Sequence, residues 1–275
     1  MHEVWGTVAG RWYVTLFGAT FCWCAIRHLG WRRTALYLGV ALAIGGLAEN
    51  GSVHFGFPYT RYAFDPSLRG KELFLGDVPL FVPLSYSFMG YFAFASGRLL
   101  ASGPYRTRAR RAWHEWLLAE VVAVWALWIL DPMTRLGSHF YLGRVFRYAG
   151  PGFWFGLPTA SQVGFAFTAA VLLGVLFWLG RDEADQYVRG ALSHPHLIAL
   201  VTYHAEVFHL AIVGWWIGTA TSNAIAGAAV LMWMPIAAMT AVHWSYGAGT
   251  SRQIAPAEPA IGVERVGVQH RKVTA

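Results

Sequence analysis

The chain has 275 residues, of which 56% are hydrophobic and only 13% charged, with a net charge of +7 and a mean hydropathy of +0.42. A soluble domain carries about 25% charged residues, so the composition excludes an ordinary water-facing surface. Nucleic acid is excluded as the reason for the positive charge, because the Arg residues stand in short clusters between apolar runs, which is how charge sets membrane topology.

The N-terminus opens Met1-His2-Glu3, without the Lys/Arg-rich start or clear cleavage site of a secretory signal. Apolar runs of spanning length then follow one another. They cover Trp12 to Ile26, Thr34 to Glu49, Pro79 to Gly97, Ala112 to Leu130, Gly156 to Gly180, Leu197 to Ala220 and Asn223 to Ser245. The expected fold is all-α: a polytopic membrane protein of about seven transmembrane helices forming one domain over residues 1–246. From Gly247 the chain is rich in Ala, Pro, Gly and charge, and residues 247–275 read as a disordered cytoplasmic tail. Cys22 and Cys24 lie inside the first apolar run and read as small apolar side chains.

Seven spans divide the basic residues unequally. One side holds Arg27, Arg32, Arg33, Arg98, Arg181, Arg189, the Arg106–Arg111 cluster and the tail; the other holds Arg11, Arg61, Arg69, Lys71, Arg135, Arg144 and Arg147. The richer side is expected in the cytoplasm, placing the N-terminus outside and the C-terminus inside.

Two long connections fall on the opposite side, Glu49 to Val78 and Asp131 to Phe155. Both are built of Gly, Pro and aromatic residues. Such loops are expected to be partly re-entrant and to roof a cavity, since irregular backbone at membrane depth needs protein cover. The heavy aromatic load, with 14 Trp, 12 Tyr and 18 Phe, fits both interfacial belts and an aromatic cavity lining.

Ionisable groups in or beside spans carry the functional signal, because each costs about 2.5–3.5 kcal/mol on insertion scales. Glu49 closes the second run, Asp77 precedes the third and Asp131 closes the fourth, so all three belong to one membrane level. Asp77 before Pro79 also fits a helix start, and Asp131 before Pro132 a helix stop. Glu120 lies mid-span, on one stripe with Trp116, Val124, Leu127 and Asp131. Glu206 and His209, three apart, share a face with Thr202 and Tyr203, whereas His204 points elsewhere. No metal is expected: the His spacings lack repeated ligand pairs on one face. A Gly-x-Ser-x-Gly elbow and a phosphate loop are likewise missing from the sequence.

Two stretches carry a family resemblance. One is Glu49-Asn50-Gly51-Ser52-Val53-His54-Phe55-Gly56-Phe57-Pro58-Tyr59-Thr60-Arg61-Tyr62, followed by Gly76-Asp77-Val78-Pro79-Leu80-Phe81-Val82-Pro83-Leu84. The other is Asp131-Pro132, then Gly152-Phe153-Trp154-Phe155-Gly156-Leu157-Pro158, running into Gly164-Phe165. Together they resemble the membrane carotenoid-biosynthesis hydratases, which include the bisanhydrobacterioruberin and γ-carotene 1,2-hydratases. The chain departs from that family at Thr159–Phe165 and at Arg61–Asp65.

The resemblance implies a cofactor-independent hydro-lyase. An acid protonates an isoprenoid alkene, a tertiary cation forms, and water adds under a base. Glu49 and Asp131 are the expected acid/base pair, with Asp77 third. Tyr59, Tyr62, Trp154 and Phe155 are expected to line the cavity and face the cation, with Glu120, Tyr203, Glu206 and His209 as further substrate contacts. The implied partners are a lipophilic polyene or terpenoid, membrane lipid and neighbouring biosynthetic membrane enzymes. With water excluded, the same machinery would act as a terpenoid or polyketide cyclase. Other classes compatible with the sequence are a proton-coupled transporter using Glu120 and Glu206, a haem or quinone protein using His204, His209 or His243, and a receptor-like assembly protein.

Overall fold

The computed structural model describes residues 1–102, 112–140, 143, 145–181 and 195–250, with the side chains of 102, 112, 195, 196 and 243–250 excepted. The Arg106–Arg111 cluster, Arg144, Arg189, His194 and the chain beyond Thr250 lie outside the described residues, as do the side chains of His196 and His243.

Eight helices and four short strands are present among the described residues. A short α1 (His2–Gly10) precedes α2 (Trp12–Leu29) and α3 (Trp31–Phe55). The first long loop carries β1 (Tyr62–Phe64), β2 (Phe74–Leu75) and β3 (Val78–Pro79), and leads into α4 (Phe81–Ser102). Next come α5 (Ala112–Thr134), β4 (Phe146–Tyr148), α6 (Thr159–Leu179), α7 (Pro195–Ile217) and α8 (Ala220–Thr250). The protein is an all-α polytopic membrane protein. Among the described residues, five helices are long and apolar enough to cross a membrane by themselves: α3, α5, α6, α7 and α8. The other two predicted spans, α2 and α4, lie among them.

Helix α4 is the hub, touching α2, α3, α5, α6, α7 and α8. Every residue from Tyr91 to Leu100 is buried. Small residues allow the close approaches. A Cβ at Gly90 would collide with the Tyr37 hydroxyl, and one at Gly97 with the backbone of Ala119. Association of helices in lipid rests on such packing rather than on water exclusion. On the side away from the long loops, α4 and α5 are joined by a buried ion pair, Arg98–Glu115, at 3.2 Å.

Several helices outrun their sequence-predicted limits. Helix α3 continues past Glu49 to Phe55 and stops where Gly56 turns left-handed (φ 77°), a conformation that costs glycine nothing. Glu49 therefore lies inside a helix, about one and a half turns from its end. Helix α5 continues through Pro132 to Thr134, so the Asp131-Pro132 pair is not a stop. Pro132 has no N–H to offer the carbonyl of Trp128, four residues back. The indole N–H of Trp154 donates to that carbonyl instead, at 2.8 Å. Helix α8 runs to Thr250, past Gly247 where the tail is expected to begin.

The two long loops meet on one side of the bundle. Strands β1 and β4 pair antiparallel, with Tyr62 opposite Tyr148, Ala63 opposite Arg147 and Phe64 opposite Phe146. Strand side chains alternate between faces, so Tyr62, Phe64, Phe146 and Tyr148 share one face. Ring centroids in this cluster lie 5.4–5.8 Å apart for four of its pairs. Backbone bonds from Asp65 to Val145 (2.9 Å) and from Ala149 to Arg61 (3.2 Å) extend the ribbon at both ends. The N-terminal segment fastens the first loop. Arg11 forms a buried ion pair with Glu72 at 2.9 Å and lies 4.4 Å over the Phe81 ring, while Thr7 Oγ1 accepts from the Leu73 N–H at 2.7 Å.

Gly164 on α6 lets the turn at Pro58 and Tyr59 lie directly on the helix; a Cβ there would run into the Pro58 carbonyl. Gly164→Ala is expected to lower unfolding stability by about 1–3 kcal/mol, the usual cost of overpacking. Gly174, with open space around its Cα, is the control: Gly174→Ala is expected to be neutral or stabilising by about 1 kcal/mol, the difference in helix propensity. Thermal unfolding in detergent measures both.

Candidate active site

A cavity of about 540 Å³ lies beneath the paired loops, walled by α2, α3, α4, α5, α6 and α7. That size suits a small-molecule ligand or part of a longer one. Among the described residues, its ionisable side chains other than tyrosine are Glu49, Asp131, Glu206 and His209, and most of the rest are apolar or aromatic. Tyr62, Phe64, Phe146 and Tyr148 of the ribbon all line it, so the paired loops cover the cavity.

Glu49 is 6% exposed and is held by tyrosines. Its Oε2 accepts from the Tyr62 hydroxyl and its Oε1 contacts the Tyr86 hydroxyl at 2.5 Å. Tyr86 reaches its position because Gly45, one turn before Glu49 on α3, leaves room for its ring; a Cβ on Gly45 would stand 2.9 Å from the Tyr86 ring. The chain of hydroxyls goes further. Tyr86 meets Tyr59 at 2.9 Å, Tyr59 meets Thr168 Oγ1 at 2.9 Å, and Thr168 reaches the Gly164 carbonyl at 3.0 Å. Burial pushes the Tyr59 hydroxyl above the usual phenol range, so it stays protonated.

Each hydroxyl carries one proton but can accept as well, so the chain has two consistent directions. With Glu49 charged, Thr168 donates to Tyr59, Tyr59 to Tyr86, and Tyr86 to the carboxylate. With Glu49 protonated, the carboxyl donates to Tyr86 and every bond reverses, ending on the Gly164 carbonyl. Glu49 is thus accommodated in either protonation state without leaving a buried oxygen unpaired.

Asp131 lines the same cavity from α5. Its backbone carbonyl accepts from Thr134 Oγ1 at 2.7 Å, while its carboxyl makes no hydrogen bond among the described residues and opens onto the cavity. Nearby, Tyr148 and Ser161 share a hydrogen bond of 2.5 Å, and burial raises the Tyr148 hydroxyl well above the ordinary phenol range. The Phe165 ring stacks on both Tyr59 (5.8 Å) and Tyr86 (5.7 Å), so aromatic faces adjoin the Glu49 carboxyl.

The expected site residues divide into two groups. Glu49, Asp131, Tyr59, Tyr62, Glu206 and His209 meet in the cavity. Asp77, Glu120, Tyr203, Trp154 and Phe155 do not line it. Asp77 shares the membrane level of the pair but is turned outward: its side chain is 42% exposed, it binds Arg69, and it lies 3.1 Å from His54. The Asn50 side chain receives the Asp77 N–H at 3.1 Å and donates to the Leu75 carbonyl at 3.1 Å, which fixes that turn. Trp154 is the anchor on the carbonyl that Pro132 frees, and Phe155 packs on it with centroids 4.9 Å apart. Among the described residues, Glu120 Oε2 and the Tyr203 hydroxyl are buried without a hydrogen-bond partner, outside the cavity wall.

Sequence reasoning missed Tyr86, Tyr148, Ser161 and Phe165. Phe165 closes the second resembling stretch, and Tyr86 falls seven residues after the Val78-Pro79 pair; polar residues on apolar helices were the available signal. Among the described residues, no three His, Cys, Asp or Glu side chains converge as a metal site would require. His204 is committed to holding helices together. Its Nδ1 accepts from Trp233 Nε1 at 2.7 Å, which leaves Nε2 to donate to Thr240 at 2.9 Å.

No curated protein and no solved structure gives a significant match to the chain. A family model described as "Carotenoid biosynthesis protein" matches residues 9–246, which takes in α2 to α7, both paired loops, every residue lining the cavity and most of α8. The chain belongs to the carotenoid biosynthesis protein family.

Proposed function

We propose that this protein is a hydratase that adds water to an isoprenoid alkene of an acyclic carotenoid, with Glu49 and Asp131 as its acid/base pair. The observation that carries the reading is the meeting of these two carboxyl groups in one aromatic, otherwise largely apolar cavity, in a member of a carotenoid biosynthesis family.

The chemistry balances with groups the chain supplies. One carboxyl transfers its proton to the less substituted alkene carbon, and the π pair becomes the new C–H bond. The neighbouring carbon is left as a tertiary cation. Water attacks that carbon through oxygen, and the other carboxylate takes the surplus proton, giving a tertiary alcohol. Positioned acid and base groups contribute about 10²–10⁴-fold each to such a step. The faces of Tyr59, Tyr86 and Phe165 stabilise the cation while it exists. The reversible hydroxyl chain on Glu49 suits a carboxyl that must give and take a proton in each cycle. The excess of Lys and Arg on the other side of the bundle supports a cytoplasmic placement of that side, with the cavity and the paired loops toward the outer face.

Expression in a host that accumulates lycopene, with H₂¹⁸O in the medium, tests the reaction. The expected product is heavier than lycopene by one molecule of water and carries ¹⁸O. Glu49→Gln and Asp131→Asn, inserted at wild-type levels, are each expected to lower its formation by about 10²–10⁴-fold. Asp77→Asn, which alters a carboxyl outside the cavity, is expected to leave the yield close to wild type. A product of unchanged mass would replace hydration with cyclisation, and unchanged lycopene would remove acyclic carotenoids as substrates.

Tyr86→Phe removes the hydroxyl between Glu49 and Tyr59 while keeping the ring beside Phe165. It is expected to lower stability by about 1–3 kcal/mol through the buried oxygens left unpaired. It is also expected to reduce turnover with little change in substrate affinity. Thermal unfolding and initial rates across polyene loadings measure the two effects.

A further inference from the structure

The cavity is not sealed on all sides. On α2, its lining residues run from the partly buried Tyr13 and Phe17 to Trp12 and Leu16, which are 63% and 56% exposed. Trp12 and Leu16 are four residues apart and so share one helix face. The same progression occurs on the neighbouring helix α7, from Glu206 and the buried Leu210 to the exposed Ala205 and His209. Ala205 and His209 are also four apart. On each helix one stripe thus belongs both to the cavity wall and to the outer surface. The outer stripe of α7 continues through Val201, Phe208, Ile212 and Trp216, all exposed and apolar, which is a surface made for lipid.

We propose that the gap between α2 and α7 is a lateral portal. Through it the end of an apolar polyene enters from the hydrocarbon layer, and the rest of the chain stays in the bilayer during the reaction. This rests on the hydratase reading for the identity of the polyene. A cavity of about 540 Å³ is of the size that takes a drug-sized ligand, so a carotenoid leaves part of its chain outside. Lipid is the medium in which an apolar chain lies without cost. Trp12 and Leu16 form one jamb of the opening, Ala205 and His209 the other. Glu206 lies just inside, where its carboxyl marks the change from lipid to a polar interior.

Two measurements test the portal. The first compares turnover of lycopene with that of a short branched alkene small enough to fit wholly inside the cavity. Ala205→Trp is expected to lower kcat/KM for lycopene by about tenfold or more and that for the short alkene by a clearly smaller factor, since only the long substrate must occupy the opening throughout turnover. Val201→Trp, one turn away on the same lipid face but outside the cavity wall, is expected to change neither. If Ala205→Trp lowers both substrates equally, or behaves as Val201→Trp does, the portal is wrong.

The second measurement uses the unaltered protein in phosphatidylcholine vesicles with a mid-chain diazirine, and needs no turnover. Illumination is expected to label Leu16 and Ala205 by peptide mass spectrometry, and lycopene in the membrane is expected to reduce that labelling but not labelling at Val201. Labelling that lycopene reduces equally at Val201 and Ala205, or at neither, overturns the portal. Failure of the hydratase reading would appear separately, as lycopene that occupies the portal without being converted.

Discussion

A carboxyl group buried among apolar helices is costly unless it finds hydrogen-bond partners. Around Glu49 that requirement organises the surrounding structure. Tyr62 comes from the first loop, Tyr86 from α4, and Tyr59, also from the first loop, links Tyr86 to Thr168 on α6. Four separate segments are therefore drawn to one point by the need to pair a few buried oxygens. The small residues around them follow from the same need, since Gly45 makes room for the Tyr86 ring and Gly164 lets the turn bearing Tyr59 lie against α6.

The loops answer a similar constraint on the backbone. Irregular chain near the hydrocarbon layer leaves peptide groups unpaired, and here the two loops pair with each other through β1 and β4. The alternation of that ribbon turns four aromatic side chains toward the cavity and leaves Ala63 and Arg147 on the opposite face. At α5 a proline withdraws one helical hydrogen bond, and an indole from the second loop replaces it. Cover, cavity and helix ends are thus joined by hydrogen bonds that cross between distant parts of the sequence.

Much of the fold was legible in the amino-acid sequence. Runs of apolar residues located α2 to α8, because length and hydropathy are the properties the bilayer selects. Helix ends were less legible: Asp131-Pro132 reads as a stop only if no outside donor rescues the Trp128 carbonyl, and the Trp154 indole that does so arrives from a distant loop. The site was half legible. Charge in an apolar span picked out Glu49, Asp131 and Glu206, yet the same signal could not separate Asp77, whose level matches but whose side chain turns out to Arg69 and His54. Tyr86 and Phe165 escaped because aromatic residues are common on membrane helices, and only their direction distinguishes them.

The ribbon over the cavity is only three residue pairs long, and its inward side chains touch the space where the cation would form without belonging to the carboxyl pair. Exchanges at Phe64 or Phe146 would reshape that space and change how much water it holds, while the proton chemistry stayed in place. The fate of a shared intermediate would then be open to variation independently of the machinery that generates it. On the proposed mechanism, a family built on this plan would diversify its products by drift in a few aromatic side chains, with its acid and base inherited intact.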